Sequence, residues 1–103
     1  MNTVEKNKII ANFLGRKGKS NNRLYSFKDI EYNGTIWFYD IELRFDKDWN
    51  WLMPVIKKIK SLGVPYGWGY HNAICASLID CNIEETYKYC FEFIERYLLE
   101  INK

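Results

Sequence analysis

The sequence predicts an α+β fold, with elements in the order α-β-β-α-β-α and helices packed on one face of a small antiparallel sheet. Three observations carry that expectation. Tyr32-Asn33-Gly34-Thr35 sets Asn-Gly between two β-rich runs. This is the strongest short hairpin signal, because a type I′ turn needs positive φ at both central residues. Apolar residues then recur at helical spacing over residues 46–63 and again over 82–101, each time with charged residues opposite. Finally, the 103 residues are 48% hydrophobic and 17% aromatic, which supplies apolar surface for one core and predicts a single domain over 1–103.

Each element has its own local reason. Asn2 with Glu5 fits a capping box, and Ile9, Ile10, Phe13 and Leu14 form the apolar face of a first helix that Gly15 closes. A basic Gly/Ser/Asn loop follows over 15–23. A two-residue turn at Asn33-Gly34 pairs Ile30 with Trp37, Lys28 with Tyr39, Ser26 with Ile41 and Leu24 with Leu43. One sheet face then gathers Leu24, Ile30, Trp37, Tyr39, Ile41, Leu43 and Phe45, the expected core side. The other holds acidic residues together with Tyr25, Phe27, Ile36 and Phe38, a set that another element, a second chain or a ligand would cover.

Asp48 is the expected N-cap of the second helix, with Leu52, Val55, Ile56, Ile59 and Leu62 facing inward. Pro54 conflicts with an unbroken helix from Trp49, so a kink or a separate first turn is expected there. Ala73 to Ile79 reads as a strand. Asn82 with Glu85 caps the last helix, whose stripe is Ile83, Tyr87, Cys90, Ile94, Tyr97, Leu98 and Ile101. Tyr89 and Leu99 fall outside it. With Tyr25, Phe27 and Phe38, they favour a homo-oligomer, a dimer first.

Composition excludes several classes. No stretch approaches the roughly 18 consecutive apolar residues of a membrane span. MNTVEKNKII lacks the apolar region of a signal peptide, and three cysteines without an export signal read as reduced thiols of a cytoplasmic protein. Residues 1–23 hold Lys6, Lys8, Arg16, Lys17, Lys19 and Arg23 against Glu5 alone. Later residues offset most of that excess, leaving +2, which is not the broad basic stripe that duplex nucleic acid draws.

The run Asp48-Trp49-Asn50-Trp51-Leu52-Met53-Pro54-Val55-Ile56-Lys57-Lys58-Ile59 resembles a W-x-W-L-M-P-V-x-x-K-I signature. That signature belongs to small proteins encoded by phages and prophages of Bacteroidetes-type bacteria. The likeness extends more loosely to Ile9–Gly15 and to the aromatic last helix, whereas residues 16–45 and 64–81 have no counterpart. It brings no site residue with it. The resemblance implies a context, a short phage-type accessory protein in the bacterial cytoplasm. Small phage proteins often counter host defence, some by sequestering nucleotide immune signals.

Candidate chemistry is sparse. Gly18-Lys19-Ser20 ends a P-loop pattern, but the glycine needed five residues earlier is Phe13, and a helix stands where the strand belongs. What survives is an anion clamp of Arg16, Lys19 and Arg23, set against a plain solvated loop. Tyr66-Gly67-Trp68-Gly69-Tyr70-His71-Asn72 offers ring faces for stacking and hydrogen-bonding edges, set against a glycine-kinked edge strand packed in the core. Trp49 and Asn50 stand at a helix N-terminus that can face an anion or a base, while Trp51 reads as an anchor. His71, Cys75, Cys81 and Cys90 lack zinc-site spacing and read as buried free thiols beside one histidine. Asp40 and Glu42 share a strand face as a formal acid–base pair, with a salt bridge to Arg44 or solvation as the alternative.

These readings converge on a non-enzymatic binder with no cofactor and no metal. The expected ligand is a phosphorylated nucleotide signal, cyclic ADP-ribose-like or a cyclic dinucleotide. Trp49, Asn50, Trp68, Tyr70 and His71 would contact the base, and Arg16, Lys19, Arg23 or Arg44 the phosphates. The rival expectation is an accessory factor that blocks a host protein through the Tyr25/Phe27/Phe38 face or the last helix.

Overall fold

The computed structural model describes residues 1–16, 18–19, 23–29, 34–63 and 69–101. Its helices and antiparallel sheet follow the order α-β-β-β-α-α-α, the first strand being only two residues long, so the α+β class holds. The expected strand at 73–79 is a helix instead. The chain gathers into two compact units, Met1–Leu43 and Arg44–Lys103.

The first unit opens with helix α1, Thr3–Phe13. Asn2 Oδ1 accepts the Glu5 N–H at 2.9 Å, which satisfies one of the donors left over at a helix start. At the other end Gly15 has φ 81°. The Arg16 N–H reaches the Ala11 carbonyl and the Gly15 N–H reaches that of Asn12, both at 2.9 Å, which is a Schellman closure. Asn7 is buried, and its side-chain amide donates to the Leu43 carbonyl at 3.1 Å.

The sheet contains β1 (Gly18–Lys19), β2 (Leu24–Asp29) and β3 (Gly34–Tyr39), antiparallel and in that spatial order. Its register corrects the expected one. Leu24 pairs with Tyr39 and Asp29 with Gly34, a slip of four residues from pairing Leu24 with Leu43. Ile30 to Asn33 lie outside the described residues, and with them the expected Asn33-Gly34 turn. An even slip keeps the same side chains together on each face.

Which face is inward is reversed. Tyr25 is completely buried and Phe27 and Phe38 are half-buried, whereas Trp37 and Tyr39 are 43% and 54% exposed. The cause is α1 and the residues after it: Glu5, Lys8, Ile9 and Asn12 line a cavity with Tyr25, and Arg16, just past the helix, rests on Phe27. The expected continuation of β3 also fails. Asp40–Glu42 turns into a 3₁₀ helix, because the Glu42 carboxylate accepts from Tyr39 N–H and that of Asp40 from Ile41 N–H, each at 2.8 Å. Asp40 and Glu42 therefore serve the backbone and not a shared strand face.

The second unit is helical. Helix α2, Trp49–Ser61, begins at the expected cap, where Asp48 Oδ1 accepts the Asn50 N–H at 2.9 Å. It runs through Pro54 as one element; the missing proline N–H falls opposite the carbonyl of exposed Asn50, where water can replace it. Helix α3, Tyr70–Ile79, replaces the expected strand. A short apolar run does not fix its own period, and here His71, Ile74, Cys75 and Leu78 share one helical side toward α2. Helix α4, Ile83–Ile101, packs on both α2 and α3.

The α3–α4 turn serves both helices. Asn82 N–H closes α3 on the Ser77 carbonyl, while Asn82 Oδ1 accepts the Glu85 N–H and caps α4. Buried Thr86 donates to buried Ser77 Oγ at 2.8 Å, and Ser77 donates on to the Ile74 carbonyl. Cys90 and Ile94 are wholly buried on the expected stripe, joined by Phe91 and Phe93 from outside it.

Candidate functional site

In the first unit the hairpin of β1 with β2 organises the basic stretch. Lys19 pairs with Leu24, so Arg23 stands one residue past that pair, and the Arg23 carbonyl accepts the Asp40 N–H at 2.8 Å. The stretch is therefore in part a sheet edge and not wholly a loop. Arg16 is held at both its backbone and its side chain. The Schellman closure fixes its backbone, and its guanidinium lies over the Phe27 ring at 5.3 Å from the centroid. Phe27 in turn meets Phe38 edge to face at 5.7 Å. The Arg16 Nε–H is buried and has no hydrogen-bond partner among the described residues.

Beside this pair lies a cavity of about 230 Å³, lined by Met1, Glu5, Lys8, Ile9, Asn12 and Tyr25. The α1 residues recur at three- and four-residue spacing and share one side of the helix. Lys8 Nζ stands 4.0 Å from the buried Asp40 carboxylate, a loose contact. Tyr25 is wholly buried, and its hydroxyl has no partner among the described residues. Burial first and the Asp40 carboxylate second push its pKa up, so it remains a neutral donor.

The second unit holds the other expected site residues. Arg44 is exposed, and its carbonyl closes a turn with Lys47 and Asp48. Trp49 is half-buried at the first position of α2, Asn50 is exposed, and Trp51 packs edge-on against buried Phe45 at 5.4 Å, as expected of an anchor. Trp68 lies outside the described residues. Gly69 takes φ 88° as N-cap of α3, so Tyr70 and His71 open a helix and not an edge strand. Tyr70 meets Phe93 edge to face at 6.2 Å. His71 Nε2 is buried without a partner among the described residues, at a small apolar cavity of about 120 Å³ shared with Ile56, Ile59, Ile74, Cys75 and Leu78.

The thiols divide. Cys90 is buried, and desolvation pushes it up to about 12, which makes it inert. Cys75 and Cys81 are exposed, against the expectation of buried thiols. No group of three His, Cys, Asp or Glu among the described residues could hold a metal ion, and no described helix is long and apolar enough to cross a membrane.

No protein-family model, curated protein or solved structure matches this chain. The geometry alone therefore ranks the candidates. Arg16, Lys19 and Arg23 belong to the first unit, and Arg44, Trp49, Asn50, Tyr70 and His71 to the second. Glu5, Lys8, Asn12 and Tyr25 are not among the expected ligand residues. From the sequence Glu5 reads only as a capping partner and Tyr25 as part of a sheet face awaiting cover, because nothing in the helical period of α1 says that β2 lies beside it.

Proposed function

We propose that this protein binds and sequesters a phosphorylated nucleotide immune signal, cyclic ADP-ribose-like or a cyclic dinucleotide, without transforming it, and so inhibits host anti-phage signalling. The observation that carries this reading is Arg16, a guanidinium laid over Phe27 with its Nε–H buried and unpartnered among the described residues. A stacked guanidinium is pre-oriented for a planar, bidentate grip on phosphate. An unpaired buried donor raises the free energy of the free protein and makes an incoming acceptor correspondingly favourable. Lys19 and Arg23 on the neighbouring hairpin add positive charge from the same unit. Residues of this kind bind phosphate and supply no nucleophile or proton relay, which is why the reading is sequestration. A cytoplasmic homodimer belongs to the same proposal.

Thermal denaturation with cyclic dinucleotides and cyclic ADP-ribose derivatives tests it, since a ligand of the folded state alone raises the melting temperature. The expected result is a shift for at least one, lost in Arg16→Gln, with the ligand recovered chemically intact from the denatured protein. No shift with any of them, or recovery of a cleaved product, refutes it. A second reading, an accessory factor that blocks a host protein, has a different surface from the one expected: Trp37 and Tyr39 are exposed on the opposite sheet face, with Ile41 exposed just beyond it, and Tyr25 is not available.

A further inference from the structure

We infer that the cavity between α1 and Tyr25 is a guanine site, read through Glu5 and Lys8; the inference rests on the nucleotide reading above and names the base. Size sets the first limit. At about 230 Å³ the cavity falls short of the roughly 300–1,000 Å³ of pockets for drug-sized ligands, so it takes one ring system with part of its sugar.

The sign pattern of the walls sets the second. Glu5 and Lys8 are one turn apart on α1 and face the same space, which puts a carboxylate acceptor beside an ammonium donor. Guanine presents the complement on one edge, the O6 acceptor next to the N1–H and N2–H donors. Glu5 would accept from both donors while Lys8 donates to O6. Adenine presents the reverse, an N6 donor beside an N1 lone pair, and that lone pair would meet the carboxylate. Uracil and cytosine each offer fewer than two adjacent donors to Glu5.

The other walls agree. The Glu5 carboxylate has no partner among the described residues, and the contact of Lys8 with Asp40, at 4.0 Å, leaves most of its donors available. Asn12, one turn beyond Lys8, carries a donor for N7 and an acceptor besides. Met1 and Ile9 supply apolar surface for the ring faces. Tyr25 also lines the cavity, and its hydroxyl is buried and unpartnered among the described residues. Tyr25 and Phe27 point to the same side of β2 about 7 Å apart. Arg16, resting on Phe27, therefore belongs to the same side of β2 as the cavity and is the group assigned to the phosphate.

The test is calorimetric titration of the full chain with GMP, AMP and guanosine, repeated on Glu5→Gln and Tyr25→Phe, with circular dichroism to show that each variant is folded. GMP is expected to bind at least tenfold more tightly than AMP, and guanosine to bind more weakly than GMP. Glu5→Gln should raise the Kd for GMP about tenfold and leave that for AMP within twofold, because an amide offers one acceptor where the carboxylate offers two. Tyr25→Phe should weaken GMP several-fold. AMP binding as tightly as GMP, or full discrimination retained in Glu5→Gln, overturns the guanine assignment and leaves the nucleotide reading standing. Guanosine binding as tightly as GMP keeps the cavity and overturns the phosphate role of Arg16. Absence of binding by all three overturns the guanine site, while the thermal shift with cyclic ligands decides the nucleotide reading separately.

Discussion

Replacing Tyr25 by Phe separates a ligand-waiting hydroxyl from a structural one. In the free protein the Tyr25 side chain is wholly buried, and its hydroxyl finds no partner among the described residues. A buried polar group in that state costs roughly 1–3 kcal/mol relative to a satisfied or solvated one. Tyr25→Phe keeps the ring and its packing and removes only the costly atom. The variant is expected to be more stable than the parent by about 1 kcal/mol or more. For a chain of this size that is a rise of roughly 4–8 °C in melting temperature per kcal/mol. Urea unfolding followed by tryptophan fluorescence measures it directly, with an unchanged slope showing that the unfolded state has not altered. The same substitution should weaken GMP, so stability and binding move in opposite directions. A loss of about 1 kcal/mol on Tyr25→Phe would refute the reasoning, since the hydroxyl would then be holding a hydrogen bond that the folded protein needs.

Three further outcomes follow from the helical unit. Cys81 holds φ 54°, the left-handed C′ position that closes α3, where a side chain is strained. Cys81→Gly should stabilise by about 1 kcal/mol in urea unfolding, and no gain would mean the strain is relieved elsewhere. Asn82→Ala removes the side-chain acceptor of the Glu85 N–H and should cost about 1 kcal/mol, read by the same assay. Burial raises the Cys90 thiol from 9.0 to about 12, so the unfolded chain loses this proton first as pH rises. Stability contributed by the protonated thiol is thus complete below about pH 9 and is lost through pH 12, by at most about 4 kcal/mol. Tyr87 and Tyr25, also raised, add loss of the same sign, and Cys90→Val should flatten the slope between about pH 8 and 10.5.

The parts of this fold that the sequence made legible are those with a local cause. Asn2, Asp48 and Asn82 each accept a backbone N–H where the pattern put a cap, and Gly15 takes the positive φ that closes α1. Cys90 and Ile94 lie inward as their spacing required. The failures are non-local. Asn33-Gly34 signalled a register that pairs Leu24 with Leu43, yet Leu24 pairs with Tyr39, because register depends on which side chains are buried as well as on turn chemistry. The inward face of the sheet depends on where α1 settles, which no period in β2 or β3 records. Ala73–Ile79 was ambiguous in kind, and only packing toward α2 selects helix. The candidate site follows the same division. Arg16 was visible as a cation beside glycines, but its platform, Phe27, is eleven residues away and meets it only through the fold.

Buried polar groups that serve only the fold are satisfied here. Asn7 donates to Leu43, Thr86 to Ser77, and Ser77 to Ile74. Against that background the Arg16 Nε–H and the Tyr25 hydroxyl stand out, each buried and unpartnered among the described residues. A fold under no demand but stability would replace both, Tyr25 by Phe and Arg16 by a residue that packs on Phe27 without a charge. Local rules broken without a structural gain concentrate where a protein does its work. Two such breaks lie on the same side of one strand, beside a cavity whose walls carry a carboxylate, an ammonium and an amide. The His71 Nε2 is a third unpartnered atom, but it borders a smaller, apolar cavity that offers a ligand one hydrogen bond and no charge opposite to phosphate apart from the nearby Lys60. The proposed site therefore lies in the first unit: Tyr25 lines a cavity that also holds a carboxylate and an ammonium, and Arg16 rests on Phe27, two residues from Tyr25 along β2.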